Sequence, residues 1–307
     1  MSAKRVVVLY GGFSAEREVS LVSGNACADA LRSKGHDVVL IDPADGIPAL
    51  VNSLRPGHDV VFNALHGRPG EDGSIQGLLD LMRVPYTHSG LLASAVAMNK
   101  ALARDLFAQA GLRCAAGHIC SREDFSGGHP LTPPYVIKPI AEGSSKGVRI
   151  VQVGDNLIAS EEDWAYGEHV LVEQFIPGRE LTTAVLEGKA LAVTELRTSE
   201  GFYDYNAKYT EGRTQHLVPA PVPDEVTELA MRQAEIAHEI LGCRGLSRSD
   251  FRYDDRPGLS AAEALYILET NTQPGMTPLS LAPEQAHYIG MSFADLVDRL
   301  VAIAKYD

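Results

Sequence analysis

Cysteine is scarce in this 307-residue chain, which has only Cys27, Cys114, Cys120 and Cys243. No two of them form a CxxC pair, so the usual zinc and thioredoxin-like motifs are not indicated. Four scattered cysteines in a chain of this length do not make a disulfide framework. Buried free thiols are expected instead. Basic residues are also short: 27 Lys plus Arg stand against 40 Asp plus Glu, for a formal net charge of −13. A broad nucleic-acid-binding face needs clustered cations and is not expected here. Long hydrophobic runs are missing as well. The run Val6–Tyr10 near the N-terminus is too short for a signal-peptide core or a membrane span, so a cytoplasmic protein with no membrane partner is expected. Two phosphate fingerprints are absent too. There is no GxxxxGK[ST], and Gly11-Gly12-Phe13-Ser14 does not match GxGxxG.

What is present is an ordinary globular composition, with 45% hydrophobic and 22% charged residues. The length suggests two domains or three small lobes. Val6–Tyr10, Val38–Ile41 and Asp59–Asn63 read as strands, with helices over about Glu18–Lys34 and Ser74–Met82 between and after them. That alternation predicts an open parallel sheet. Ligands of such sheets sit at the carboxyl ends of strands, where the loops Gly11–Glu16 and His66–Gly73 fall. Further on, one helix carries Ala93, Ala97, Ala101 and Leu102. Strands are expected at Tyr135–Ile140, Gly147–Val153, His169–Gln174, Leu181–Leu186, Ala190–Leu196 and Tyr266–Thr270. Helices are expected over about Asp224–Leu241 and Ser292–Lys305, and Ser121–Pro134 reads as a loop.

Two constellations carry chemistry. Lys138 closes a strand just before Glu142-Gly143-Ser144-Ser145-Lys146-Gly147. Glycines there let backbone N–H groups approach an anion, and the serines add donors. Taken alone, such a loop is more often a hairpin turn. The second is Glu269-Thr270-Asn271, with Asp250 upstream. Residues i and i+2 of a strand share a face, so Glu269 and Asn271 present oxygen ligands side by side. An Asp from a neighbouring strand would complete a site for a hard cation such as magnesium. In isolation these acids read more readily as solvated surface carboxylates.

Six motifs run along the chain: Gly11-Gly12-Phe13-Ser14-Ala15-Glu16-Arg17-Glu18-Val19-Ser20, His66-Gly67-Arg68-Pro69-Gly70-Glu71-Asp72-Gly73, Lys138-Pro139 with the glycine-rich loop, Phe202-Tyr203-Asp204-Tyr205-Asn206-Ala207-Lys208-Tyr209, Arg248-Ser249-Asp250 and Glu269-Thr270-Asn271-Thr272-Gln273-Pro274-Gly275-Met276-Thr277. Taken together, they resemble those of the D-alanine–D-alanine ligases of the ATP-grasp superfamily, nearly end to end. The resemblance implies an α/β fold: an N-terminal open parallel-sheet lobe (1–88), followed by a two-lobe ATP-grasp (89–172 and 173–307). It implies ATP-dependent joining of two D-alanines through an acyl phosphate, for peptidoglycan precursors. It also implies two magnesium (or manganese) ions and a homodimer held mostly through the N-terminal part. The family allows a monovalent cation, and no residue here specifies one.

The residue roles follow from the same resemblance. Glu16, an exposed carboxylate at a strand end, would anchor the first D-alanine's ammonium. Lys100 and Lys138 would grip ATP phosphates together with Ser144 and Ser145, and Lys208 would reach the transferred phosphoryl group. Glu173, Gln174, Ile176 and Glu180 would carry adenine and ribose. Gln174 stands where relatives usually have lysine, which puts a side-chain contact there in doubt. Asp250, Glu269 and Asn271 would hold the metals. Arg248 and the Gly275 N–H would stabilise the tetrahedral oxyanion. Ser280 and the Leu281 backbone would bind the second carboxylate, with help from His66 or with that histidine only satisfying local hydrogen bonds. Tyr209 would bond to Ser144 and Glu16 under a lid, and it favours D-alanine over D-lactate as second substrate. Lys146, where a small apolar residue is common, is expected to face water. The resemblance places Lys100, Lys138 and Lys208 at the triphosphate, with Lys146 in the loop beside them, so a basic pocket is expected within an acidic protein.

Overall fold

Val6, Val7, Val8 and Leu9 are all buried, as a continuous apolar run requires of a strand covered on both faces. They form β1 (Arg5–Leu9), which pairs in parallel with β2 (Asp37–Ile41) and β3 (Val60–Asn63) in the order β2-β1-β3. The computed structural model describes residues 3–54, 57–144, 146–155, 159–198, 214–277 and 280–307. Alternate residues of the parallel sheet enter two cores. Val6, Val8 and Phe62 pack with α1 (Arg17–Ser33), while Val7, Leu9 and Val61 pack with α2 (Ile47–Ser53) and α3 (Ser74–Met82). Just past β1, Gly11 has φ +73°, and a Cβ there would lie 2.5 Å from the Asp42 carboxylate, so the turn requires glycine.

The helix expected through Ala93–Leu102 is two helices, α4 (Leu91–Met98) and α5 (Lys100–Gln109). Asn99 separates them. Its backbone is extended, and its side chain accepts from the Leu102 N–H at 3.1 Å, so it caps α5 instead of continuing α4. The break puts Lys100 at the start of α5, where its N–H donates to the Ile140 carbonyl at 2.8 Å.

Two antiparallel sheets follow. The first has the order β4-β7-β5-β6, from β4 (Gly117–Ser121), β5 (Tyr135–Pro139), β6 (Arg149–Val151) and β7 (His169–Gln174). Its small core holds Cys120, Tyr135, Ile137, Val151, Val170 and Val172. The second has the order β10-β9-β8-β11-β12, from β8 (Arg179–Leu186), β9 (Lys189–Thr198), β10 (Thr214–Leu217), β11 (Leu246–Tyr253) and β12 (Leu265–Asn271). It is packed by α6 (Asp224–Ile240), which follows β10 in the chain. A short turn, α7 (Ala261–Ala264), precedes β12, and α8 (Leu281–Tyr288) and α9 (Phe293–Ala302) close the chain.

Sequence patterning missed β4, β10, β11, α2 and α8. β11 is instructive, because its inward residues Ser247 and Ser249 are buried but polar and break the apolar alternation. The cysteine expectation needs adjustment as well. All four are free, but Cys114 and Cys243 are only partly buried. Among the described residues no helix is long and apolar enough to cross a membrane.

Candidate active site

A cleft between the two antiparallel sheets encloses about 870 Å³, part of it open to solvent. β5 brings Lys138 to it, β7 Glu173, β11 Asp250 and Arg252, β12 Glu269, and the start of α5 Lys100. The described lining holds four cations (Lys100, Lys138, Lys146, Arg252) and five carboxylates (Glu142, Glu173, Glu180, Asp250, Glu269). The expected basic pocket is therefore a mixed one. A site that handles both metal and phosphate needs charges of both signs.

Most of these charges are already paired. Asp250 and Glu269 face each other across the β11–β12 ladder, and Arg248 faces Asn271 one step along the same side. Opposed residues of an antiparallel pair share a face, so Asp250, Glu269 and Asn271 converge. A bulge follows directly, where the register skips Leu268. It lets Leu268 and Glu269, neighbours in sequence, both line the cleft. Arg248 grips Asp250 through two bonds of 2.8 Å, and the Thr182 hydroxyl donates to the same carboxylate at 2.6 Å. Lys100 lies 3.2 Å from Glu269 and donates to the Glu142 carbonyl at 2.6 Å. Lys138 pairs with Glu173, and Arg104 approaches the other oxygen of that carboxylate at 2.7 Å. Among the described residues no three His, Cys, Asp or Glu side chains gather into a metal-holding group. Two carboxylates and an amide oxygen nonetheless suit a hard cation that takes its remaining ligands from phosphate and water.

A second corner lies beneath the glycine-rich loop. Glu16, expected to be exposed, is buried at 5%. Ser144 covers it, donating to Oε2 at 2.8 Å, and the Lys146 ammonium lies 3.5 Å from Oε1. Lys146 thus turns inward and not to water, because a buried carboxylate draws the nearest cation. Both Glu16 and Glu71 come within 4 Å of where a Gly143 Cβ would stand. His66 is buried with both ring nitrogens engaged, Nδ1 3.1 Å from Glu71 and Nε2 3.0 Å from Ser23. That arrangement fits a histidine that orders its neighbours.

The segment after β7 carries the remaining residues. Glu173 and Ile176 are buried, and Gln174 is exposed at the end of its strand, with its N–H on the Ala116 carbonyl at 2.7 Å. Arg252 holds this segment in place. It donates to the carbonyls of Ile176 (3.1 Å) and Gly178 (2.8 Å) and lies 3.7 Å from Glu180. Burial pulls its guanidinium down from the ordinary arginine value, and Glu180 and Asp255 push it back up. Past β12, Asn271 accepts from the Gln273 N–H at 2.8 Å, and Asn63 of β3 donates to the Gln273 side chain at 2.7 Å. This bond ties the parallel sheet to the segment that leads to Gly275. Ser280 occupies the N-cap position of α8, where its hydroxyl accepts from the Thr277 N–H at 3.1 Å instead of capping the helix, and Leu281 is the first helical residue, so the Leu281 N–H is among those a helix leaves without an internal partner. Ser145, Lys208 and Tyr209, with the rest of Phe202–Tyr209, lie outside the described residues.

Arg104, Arg252, Thr182 and Glu71 were not singled out from the sequence. Two had a signal. Arg104 is four residues past Lys100 on one helix, and Arg252 is two past Asp250 on one strand, spacings that share a face.

The family description "D-ala D-ala ligase C-terminus" matches residues 118–302, and "D-ala D-ala ligase N-terminus" matches residues 43–89. The chain is similar to a D-alanine–D-alanine ligase of Gluconobacter oxydans, 54% identical with 97% of this chain and 98% of that protein covered. It is similar to one of Caulobacter vibrioides, 52% identical with 97% and 92% covered. Among solved structures, a D-alanine–D-alanine ligase from Bacillus anthracis complexed with ATP superposes with a TM-score of 0.82 at 28% identity, with 98% and 96% covered. The VanG D-Ala:D-Ser ligase of Enterococcus faecalis gives 0.81 at 28% identity, with 98% and 99% covered.

Proposed function

The chain belongs to the D-alanine–D-alanine ligase family, and we propose that it joins two D-alanine molecules through an acyl-phosphate intermediate. It is an ATP-dependent ligase. The observation that carries the finer reading is the cleft in which Asp250, Glu269 and Asn271 converge opposite Lys100 and Lys138, beside the Glu16 corner.

In this reading, Glu16, oriented by the Ser144 hydroxyl, accepts the ammonium of the first D-alanine. Lys100 and Lys138 exchange their present carboxylate partners for ATP phosphates, with Ser144 and Ser145 adding donors. Glu173, Gln174, Ile176 and Glu180 receive adenine and ribose. A carboxylate oxygen of the first D-alanine attacks the γ-phosphorus, ADP departs, and Lys208 follows the transferred group. The amine of the second D-alanine then attacks the acyl carbon. Arg248 and the Gly275 N–H hold the oxyanion, and phosphate leaves. Preorganised donors aimed at developing charge supply most of the rate in such steps. Ser280 and the Leu281 N–H hold the second carboxylate, and His66 keeps Glu71 in place beside it. Magnesium or manganese, two ions held by Asp250, Glu269 and Asn271, would neutralise phosphate charge when bound. An acyl phosphate must be kept from water, the role proposed for the segment with Tyr209.

The same reading has three lobes (1–88, 89–172, 173–307), a cytoplasmic location, a product destined for peptidoglycan and a homodimer. Leu81 of α3 and Leu92 of α4, 88% and 71% exposed on helices packed together, support an interface that runs from the N-terminal lobe onto the start of the central one. Phosphate release with ATP, magnesium and D-alanine, compared with D-lactate or D-serine as acceptor at neutral pH, tests the substrate assignment. Dipeptide formation dominated by D-alanine is expected. No release from folded protein, or preferred depsipeptide synthesis, overturns it.

A further inference from the structure

Glu173 is the one carboxylate of the cleft with two cations assigned to its two oxygens among the described ion pairs. Lys138 meets Oε2 from β5, and the Arg104 guanidinium stands 2.7 Å from Oε1 on the side of α5. All three side chains are buried or nearly so, with exposures of 6% for Glu173, 9% for Lys138 and 13% for Arg104. Lys138 and Glu173 line the cleft, and Arg104 stands behind them. Arg104 is fixed from its far side, where it donates to the Ala115 carbonyl at 2.7 Å. Its Nη1 meets the carboxylate as an ion pair and not as a linear hydrogen bond.

This arrangement solves an electrostatic problem. A lysine that serves a phosphate must let go of its resident carboxylate. If Lys138 were the sole partner, its departure would leave a buried, unpaired charge, which is strongly unfavourable. Arginine stays protonated and presents a rigid fork, so it can hold a buried carboxylate by itself. We propose that Arg104 is the standing counter-ion of Glu173, which frees Lys138 to move to a nucleotide phosphate. Arg104 is then a positioning residue for phosphate binding, acting through Glu173 without touching the nucleotide. The proposal rests on the reading of this cleft as an ATP site.

The test measures equilibrium binding of ATP and of adenosine to the whole protein, as wild type and as R104M, R104K, E173Q and R104M/E173Q. R104M should weaken ATP by about tenfold or more, since Lys138 stays tied to Glu173. Adenosine, which asks nothing of Lys138, should change by less than about threefold, and R104K, which keeps the charge but not the guanidinium's second bond to the Ala115 carbonyl, should recover only part of the ATP affinity that R104M loses. Once Glu173 is neutral no counter-ion is needed, so adding R104M to E173Q should cost less than about threefold. Equal losses for ATP and adenosine, or a loss that persists undiminished in the E173Q background, would overturn the proposal. If R104M alone does not fold, a folded R104M/E173Q protein with the ATP affinity of E173Q supports it, and failure of both to fold overturns it. Absence of ATP binding by the wild type would instead remove the functional reading beneath it.

Discussion

Glu269 lies opposite Asp250 and two residues from Asn271, and its present partner is Lys100 at 3.2 Å. Glu269→Gln keeps the shape and removes the charge. Turnover should fall by about two orders of magnitude or more, because charge neutralisation at the phosphates is lost, while the melting temperature stays close to wild type. Near-normal turnover at limiting magnesium would contradict the metal assignment. At this scale the sequence was most readable. The i, i+2 spacing put Glu269 and Asn271 on one face, and the ladder adds Asp250. It misled where burial decides. Glu16 looked exposed because it follows a strand end, but the glycine-rich loop folds over it from 128 residues away in sequence. Lys146 looked solvated because most lysines are, and the buried Glu16 draws it inward.

Elements carry their own constraints. A Cβ at Gly117 of β4 would lie 2.3 Å from the Val172 carbonyl oxygen and 2.9 Å from the Glu173 Cα. These are backbone atoms, so Gly117→Ala must push β4 from β7 just where Glu173 is held. A loss of about 1–3 kcal/mol is expected, read as a lower melting temperature, together with weaker ATP binding. Wild-type values for both would contradict the packing. On the other side of the large sheet, His238 of α6 is buried against Ser247 of β11, with its Nδ1 2.7 Å from that hydroxyl. Burial lowers its pKa to about 4, and burial likewise lowers that of His88 to about 3. The unfolded chain therefore binds these protons first as pH falls from about 6.5, and folded-state stability declines between there and about 4. Melting temperature should drop across that window, and His238→Asn should flatten the drop. A flat profile in the wild type would contradict the buried neutral histidines. β11 shows why part of the sheet escaped the sequence: its inner face is built on Ser247 and Ser249, and its outer face on Arg248, Asp250 and Arg252.

The whole molecule is less divided than its motifs suggest. One core joins Val6, Val8 and Phe62 of the parallel sheet to Ala184 and Leu246 of the large sheet and to Leu296 and Leu300 of α9. Another joins Phe107 of α5 to Leu181, Val193 and Phe251. Motif order along the chain was legible, but contacts such as Cys27 with the Met276 carbonyl, 249 residues apart, leave no local trace. That shared core holds the Glu16 corner against the strands that carry Asp250 and Glu269, which the proposed reaction requires. The most direct test of the reaction uses D-alanine labelled with ¹⁸O in both carboxylate oxygens, with ATP and magnesium. Attack of that carboxylate on the γ-phosphorus predicts one ¹⁸O in the phosphate released for every dipeptide formed. Dipeptide accompanied by unlabelled phosphate would contradict the acyl-phosphate route.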